Sequence, residues 1–203
     1  MREEDTGGTI ISPALIRTIR VGYTLPWYGL HGIGHWARVR DIGLRLATRT
    51  GASRAVVELF AIFHDACRRN DAHDPEHGRR GAECAASLLG TRFHLADEEF
   101  ALLHTACTDH TNGLMEADRT IQTCWDADRL DLGRVGIVPD PERLCTDAAK
   151  NPAMIRWAVA NSRASHAPSI VHQVWDRWMR EGSEMAHPAV CVGERACIPF
   201  LID

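Results

Sequence analysis

Apolar residues recur three and four positions apart along most of this chain, the spacing of one face of a helix. The stretch SPALIRTI (12–19) opens with Ser12, a capping residue type, and Pro13 at the first helical position. HWARVRDIGLRLATRTG (35–51) puts Val39, Ile42, Leu44 and Leu46 on an apolar face and ends at Gly51. SRAVVELFAIFHDACRR (53–69) is the most apolar run and is predicted to be central. The loop NDAHDP (70–75) follows, with aspartates and a proline that break helix. Further helices are predicted over 76–90 (EHGRRGAECAASLLG), 96–113 (ADEEFALLHTACTDHTNG) and 120–136 (TIQTCWDADRLDLGRVG), the last stopped by VPDP. A short helix is expected over 141–151, and one or two more over 151–182, interrupted near Ala167–Pro168. From about Met185 the chain is proline-bearing and reads as irregular. There is no internal repeat and no sustained strand alternation. The pattern predicts an all-α protein, five or more helices around one core.

Composition narrows the class. A chain of 203 residues with 45% hydrophobic content suits one domain, alone or with an appendage. A net charge of −4 leaves no broad basic footprint for a nucleic acid duplex. The start, MREEDTGGT, lacks the basic and apolar regions of a signal peptide, and no apolar run is long enough for a membrane span. The seven cysteines show no CxxC pairing. Cys67, Cys84, Cys107 and Cys124 fall in helix-like segments, where a free cysteine acts as a small apolar residue. A reduced, cytoplasmic protein is expected; Cys191 and Cys197 could bridge only in an oxidising setting.

The unusual feature is where the ionisable groups fall. There are 11 histidines. His64 and Asp65 end the most apolar run, LFAIF, and burying such groups is costly unless they are paired or bind a metal. His35 lies on the preceding predicted helix, His77 opens the next, and His104 and His110 lie on the one after; Asp126, Asp128 and Asp131 follow. A bundle that turned such positions inward would make an N/O ligand cage, a usual way for bundles to build metal sites. His104 and His110 are six residues apart and fall on opposed sides of an ideal helix, so His104 stays outside this set. His31 could line a cavity mouth, though a structural or surface role is the simpler reading, and His73 reads as a loop residue. Trp36 and Trp125 read as core.

The ordered set HxxRV (His35, Arg38, Val39), HD (His64–Asp65) and ADRLD (127–131) resembles the HD-domain metal-dependent phosphohydrolases. PEHGRRGAE and CTDHTNG resemble the HGxxGA and HTxG segments of the binuclear members. The resemblance covers roughly residues 31–135, with residues 1–30 as a lead-in and 136–203 as a helical extension and irregular tail. It implies an HD-domain bundle with His35, His64, Asp65 and Asp128 as core ligands. His77 and His110 would be added for a second ion, and Asp65 would bridge the two. Asp126 would orient a ligand or water, and Arg129 and Asp131 of the ADRL pattern would serve a structural, local helix-to-helix salt bridge. Imidazole with carboxylate suits Mn, Fe, Co, Ni or Mg, as one or two ions. The implied activity is hydrolysis of a small-molecule phosphoester, such as a nucleotide, by metal-activated water.

Arg68, Arg69 and Arg38 add two readings. An arginine fork grips phosphate oxygens, so one of them is a candidate phosphate contact. Alternatively, Arg68 and Arg69 are surface residues at a helix C-terminus, where positive charge is favoured anyway. Arg134 reads as a solvent-side residue. Guanosine tetraphosphate hydrolases carry acidic residues where Arg68 and Arg69 stand, and continue ADRL differently, which argues against that activity here. Two rival functions remain: a di-iron HD-domain oxygenase with the same six ligands, and a regulatory binding protein with a degenerate site. Trp157, Trp175 and Trp178 point to packing on the core or to a homodimer contact.

Overall fold

A computed structural model of the chain describes residues 8–164 and 167–176. His166, Trp178, His187, Cys191, Cys197 and the expected irregular tail lie outside the described residues. The described chain is all-α: α1 Pro13–Gly22, α2 Ile33–Thr50, α3 Arg54–Phe63, α4 His77–Leu88, α5 Asp97–Asp109, α6 Arg119–Leu130, α7 Asp147–Lys150 and α8 Pro152–Arg163. The pairing outside helices is one isolated bridge, Leu89 with Phe93.

The ends of these helices follow local chemistry. Ser12 and Ser53 accept from the N–H of Leu15 and Val56, and so cap α1 and α3. Gly51 takes a left-handed φ of 74° and donates to Ala47 O, which closes α2. α3 stops ten residues in, earlier than the apolar pattern predicts, because the chain turns at His64. There the N–H groups of Ala66 and Arg68 bond to the carbonyls of Phe63 and Asp65. α5 likewise ends with His110 at its C-cap position, and α6 tightens at Asp131 into a 3-10 turn, Asp131–Val135.

Helix α3 is buried along nearly its whole length, Val56 to Phe63. It lies against α2, α5 and α6, while α4 packs on α5 and α8 packs on the 3-10 turn after α6. Two glycines set how closely α4 approaches. A Cβ on Gly81 would lie 2.2 Å from Phe63 O, and one on Gly78 would lie 2.4 Å from Cys107 O. No larger residue fits at either place without moving backbone, so these glycines bring the start of α4 against the ends of α3 and α5. Trp36 and Trp125 are core residues. Tyr23, Trp27 and Trp36 pack edge to face, with ring centroids 5.2–5.6 Å apart, and join the lead-in to α2. Trp27 and Tyr28 also hydrogen-bond Asp176, at 3.1 and 2.8 Å. Trp175 is buried beside it, and Trp157 is half-buried under Arg45. No helix among the described residues is long and apolar enough to cross a membrane.

Candidate metal centre

The turn at the end of α3 carries His64 and Asp65 inward together, and four other helix ends, those of α2, α4, α5 and α6, meet them there. Two groups of ligand atoms result among the described residues: His35, His64 and Asp128, and beside them Asp65, His77 and His110. His35 Nε2 lies 3.0 Å from His64 Nε2 and 3.4 Å from Asp128 Oδ1. His77 Nε2 lies 2.9 Å from His110 Nε2 and 3.2 Å from Asp65 Oδ1. The other oxygen of Asp65 is 3.6 Å from His35 Nε2 and 3.7 Å from His64 Nε2. Asp65 therefore faces both groups, one oxygen to each.

The hydrogen bonds behind the rings fix what the rings present. His35 Nδ1 donates to Asp131 Oδ2 at 2.7 Å and His64 Nδ1 to Phe60 O at 3.1 Å. His110 Nδ1 donates to Cys107 O at 2.7 Å, and His77 Nδ1 to Asp74 O. Each acceptor is an oxygen with no proton to give, so each Nδ1 carries the hydrogen and each Nε2 turns a lone pair inward. Two lone pairs facing each other at 2.9–3.0 Å repel unless a cation lies between them. Asp128 Oδ1 adds a buried acceptor with no hydrogen-bond partner. The donor set, imidazole nitrogens and carboxylate oxygens without thiolate, is that of a site for a divalent first-row metal.

Electrostatics prepare these groups for a cation. Burial lowers the His35 pKa to about 4, with help from the nearby Arg134 charge. Burial and the nearby His64 ring lower the His110 pKa to about 4 as well. Both rings are thus neutral, as ligands must be, at ordinary pH. Burial alone would raise Asp65, but His64, His31 and His77 outweigh it and hold the carboxyl well below the usual range. Asp128 is held below its ordinary value in the same way, the effect of burial being overcome by His64, Arg134 and His35.

All six ligands implied by the resemblance fall in these two groups, and His104 stands apart on α5, half-buried against Phe100. Other residues sit differently from their expected roles. Asp126 turns away from the ligands and accepts from the N–H groups of Cys145 and Thr146, at 2.6 and 2.8 Å, which ties down the segment before α7. The ligand-orienting place belongs to Asp131. It accepts from His35 Nδ1, from Arg38 Nε and Nη2 at 2.8 and 3.0 Å, and from Ser162 Oγ at 2.6 Å. The expected helix-to-helix salt bridge forms at Asp131, to Arg38 of α2, while Arg129 donates to the carbonyls of Leu114 and Arg143. Arg38, a candidate phosphate contact, commits two donors of its fork to Asp131. Arg69 is exposed. Arg68 reaches the centre, with Nη1 3.0 Å from His77 Nε2 and 3.4 Å from Asp65 Oδ1, while Nη2 bonds Ala72 O.

The residue pattern held signals for two of the residues it misassigned. Asp131 lies three positions after Asp128, so both share a helix face. His31 lies four positions before His35; it is buried, and its Nδ1 is 2.8 Å from Asp65 Oδ2, where it holds the Asp65 carboxylate. Arg134, read as solvent-facing, is mostly covered, with a side chain only 9% exposed.

Comparison with protein-family models, with curated proteins and with solved structures finds no match to this chain. What it does rests on the geometry of the site itself.

Proposed function

We propose that this chain is a divalent-metal-dependent phosphohydrolase of the HD-domain type, acting on a phosphoester of a nucleotide or a similar small molecule. The observation that carries the reading is the convergence of four inward Nε2 lone pairs on one carboxylate, Asp65, that faces both groups. Such an arrangement fits two ions, one held by His35, His64 and Asp128 and one by His77 and His110, with Asp65 between them. Ions of Mn, Fe, Co, Ni or Mg there would polarise a phosphoryl oxygen and acidify attacking water.

The chain's own residues supply the rest. Asp131 and the carbonyls behind the rings keep each imidazole in the metal-binding tautomer. His31 fixes the rotamer of Asp65. Arg68 brings a positive charge to the edge of the second group, where a forked donor suits phosphate oxygens. A groove of about 570 Å³, lined by Met115, Leu132, Ile137 and Val138 among others, is walled by segments that neighbour His110 and Asp128 in the chain.

The test is phosphate release from a panel of phosphomonoesters and phosphodiesters, with metal-free protein and with each divalent metal added back. The reading predicts metal-dependent release that Asp65→Ala abolishes without loss of helix content. Full activity in that variant would sink it. The second group favours one rival, the di-iron oxygenase, since oxygen chemistry in HD domains also requires two adjacent ions. Oxygen uptake with an iron-loaded chain, and no phosphate release from any ester, would select that rival.

A further inference from the structure

Arg134 sits in the 3-10 turn Asp131–Val135, on the continuous piece of chain that also carries Asp128 and Asp131. Its side chain is 9% exposed, yet its Nε and Nη1 have no hydrogen-bond partner. Among the described arginines no other has buried donors left unpaired in this way. The guanidinium lies between two carboxylates and bonds neither. Nη2 is 3.9 Å from Asp128 Oδ1 and Nη1 is 3.9 Å from Asp131 Oδ2, both beyond hydrogen-bond length.

The reason Asp131 leaves it unpaired is saturation. Its two oxygens already accept four bonds, from His35, twice from Arg38 and from Ser162, which uses all its lone-pair sites. Asp128 Oδ1 is unpartnered too, but it faces His35 and His64 as a ligand atom. Arg134 is thus a mostly buried charge, balanced in sign by its neighbours, whose Nε and Nη1 donors are unspent. Buried polar groups are normally satisfied, and an exception calls for an explanation such as a catalytic role or a bound ion.

We infer that Arg134 is the anion-binding residue of this centre, donating to an oxygen of a phosphoryl group seated against the His35–His64–Asp128 group. This rests on the proposed phosphohydrolase reading and names the part of the substrate that the first metal group takes. The planar fork matches a tetrahedral oxyanion and brings positive charge beside Asp128, as Arg68 does beside His77. Arg38 does not serve, because Asp131 takes two donors of its fork. A purely structural Arg134 would act only as a counter-charge to Asp128 and Asp131. Its removal would then loosen metal or fold and leave anion affinity per bound metal unchanged.

The experiment measures binding of inorganic phosphate to the manganese-loaded full chain by calorimetry, with manganese content determined on the same samples. Arg134→Met and Arg134→Lys are compared with the parent. The expected result is unchanged manganese content in both, phosphate affinity weakened by about 10- to 100-fold in Arg134→Met, and a smaller loss in Arg134→Lys. Equal phosphate affinity in all three overturns the inference while leaving the phosphohydrolase reading intact. Loss of manganese or of fold in both variants also overturns it, in favour of the counter-charge role. If the parent binds manganese but neither binds phosphate nor releases it from any ester, the functional reading itself fails.

Discussion

Replacing Asp131 with asparagine tests how far the metal centre depends on a residue that is not itself a ligand. The carboxylate accepts four hydrogen bonds, three of them from arginine or histidine. An amide keeps one accepting oxygen and turns a donor toward the other pair. The best fit puts the amide nitrogen where Oδ1 stood. Ser162 can then turn its one hydroxyl hydrogen from Asp131 to Ala158 O, 2.8 Å away, and accept from the amide. Arg38 Nε, 2.8 Å from that oxygen, meets a donor and is left buried and unpaired. Breaking a buried ion pair from one side costs about 3–5 kcal/mol. That is a large share of the roughly 5–15 kcal/mol by which a domain is stable, so the variant should fold with a much lower urea midpoint. His35 loses its anionic partner as well, and changes of this kind beside a metal ligand lower metal affinity by about 10- to 100-fold. Urea denaturation of the metal-free protein and a manganese titration measure the two effects. A stability change under about 0.5 kcal/mol, together with unchanged manganese affinity, would refute the role assigned to Asp131.

Two further predictions follow from packing and from charge. Gly81→Ala puts a methyl 2.2 Å from Phe63 O, so α4 must back away, carrying His77 from Asp65. Stability should fall by about 1–3 kcal/mol, and elemental analysis should show bound metal falling from about two ions to about one, because His35, His64 and Asp128 lie on other helices. Two ions retained in that variant would show that α4 does not set the second group. Acid should weaken the metal-free fold in a defined window. His35 and His110 have pKa values of about 4 when folded against 6.5 as ordinary side chains, so the unfolded chain takes up protons first as pH falls. Stability is then full above 6.5 and declines as pH drops from 6.5 toward about 4, by about 1.4 kcal/mol per pH unit for each ring. Urea midpoints that stay level across that window would contradict the buried, neutral state of both rings.

The helices and the residues that gather in the two His/Asp groups were legible because both depend on short-range spacing. His64 and Asp65 end a run that is apolar on every side, and His77 and His110 stand at helix boundaries marked by Pro75 and Gly113. What escaped depends on how helix ends turn. The 3-10 tightening at Asp131 swings that residue onto His35, Arg38 and Ser162, which lie far from it in the chain. The same turn buries Arg134, whose polar character reads as solvent exposure in sequence. Asp126 was assigned by adjacency to Asp128, yet two positions along a helix point about 200° apart, and its side chain serves the loop before α7 instead. The close approach of α4 was carried by Gly78 and Gly81, whose purpose shows only when Phe63 O and Cys107 O stand opposite them.

The central claim is that the two groups of ligands form one metal centre bridged by Asp65. It is tested most directly by metal content per chain, measured by elemental analysis on protein stripped, reloaded with manganese and desalted. The account predicts about two equivalents in the parent chain and almost none in Asp65→Ala with its helix content preserved. A parent chain that retains no metal, or an Asp65→Ala chain that keeps both ions, would contradict it.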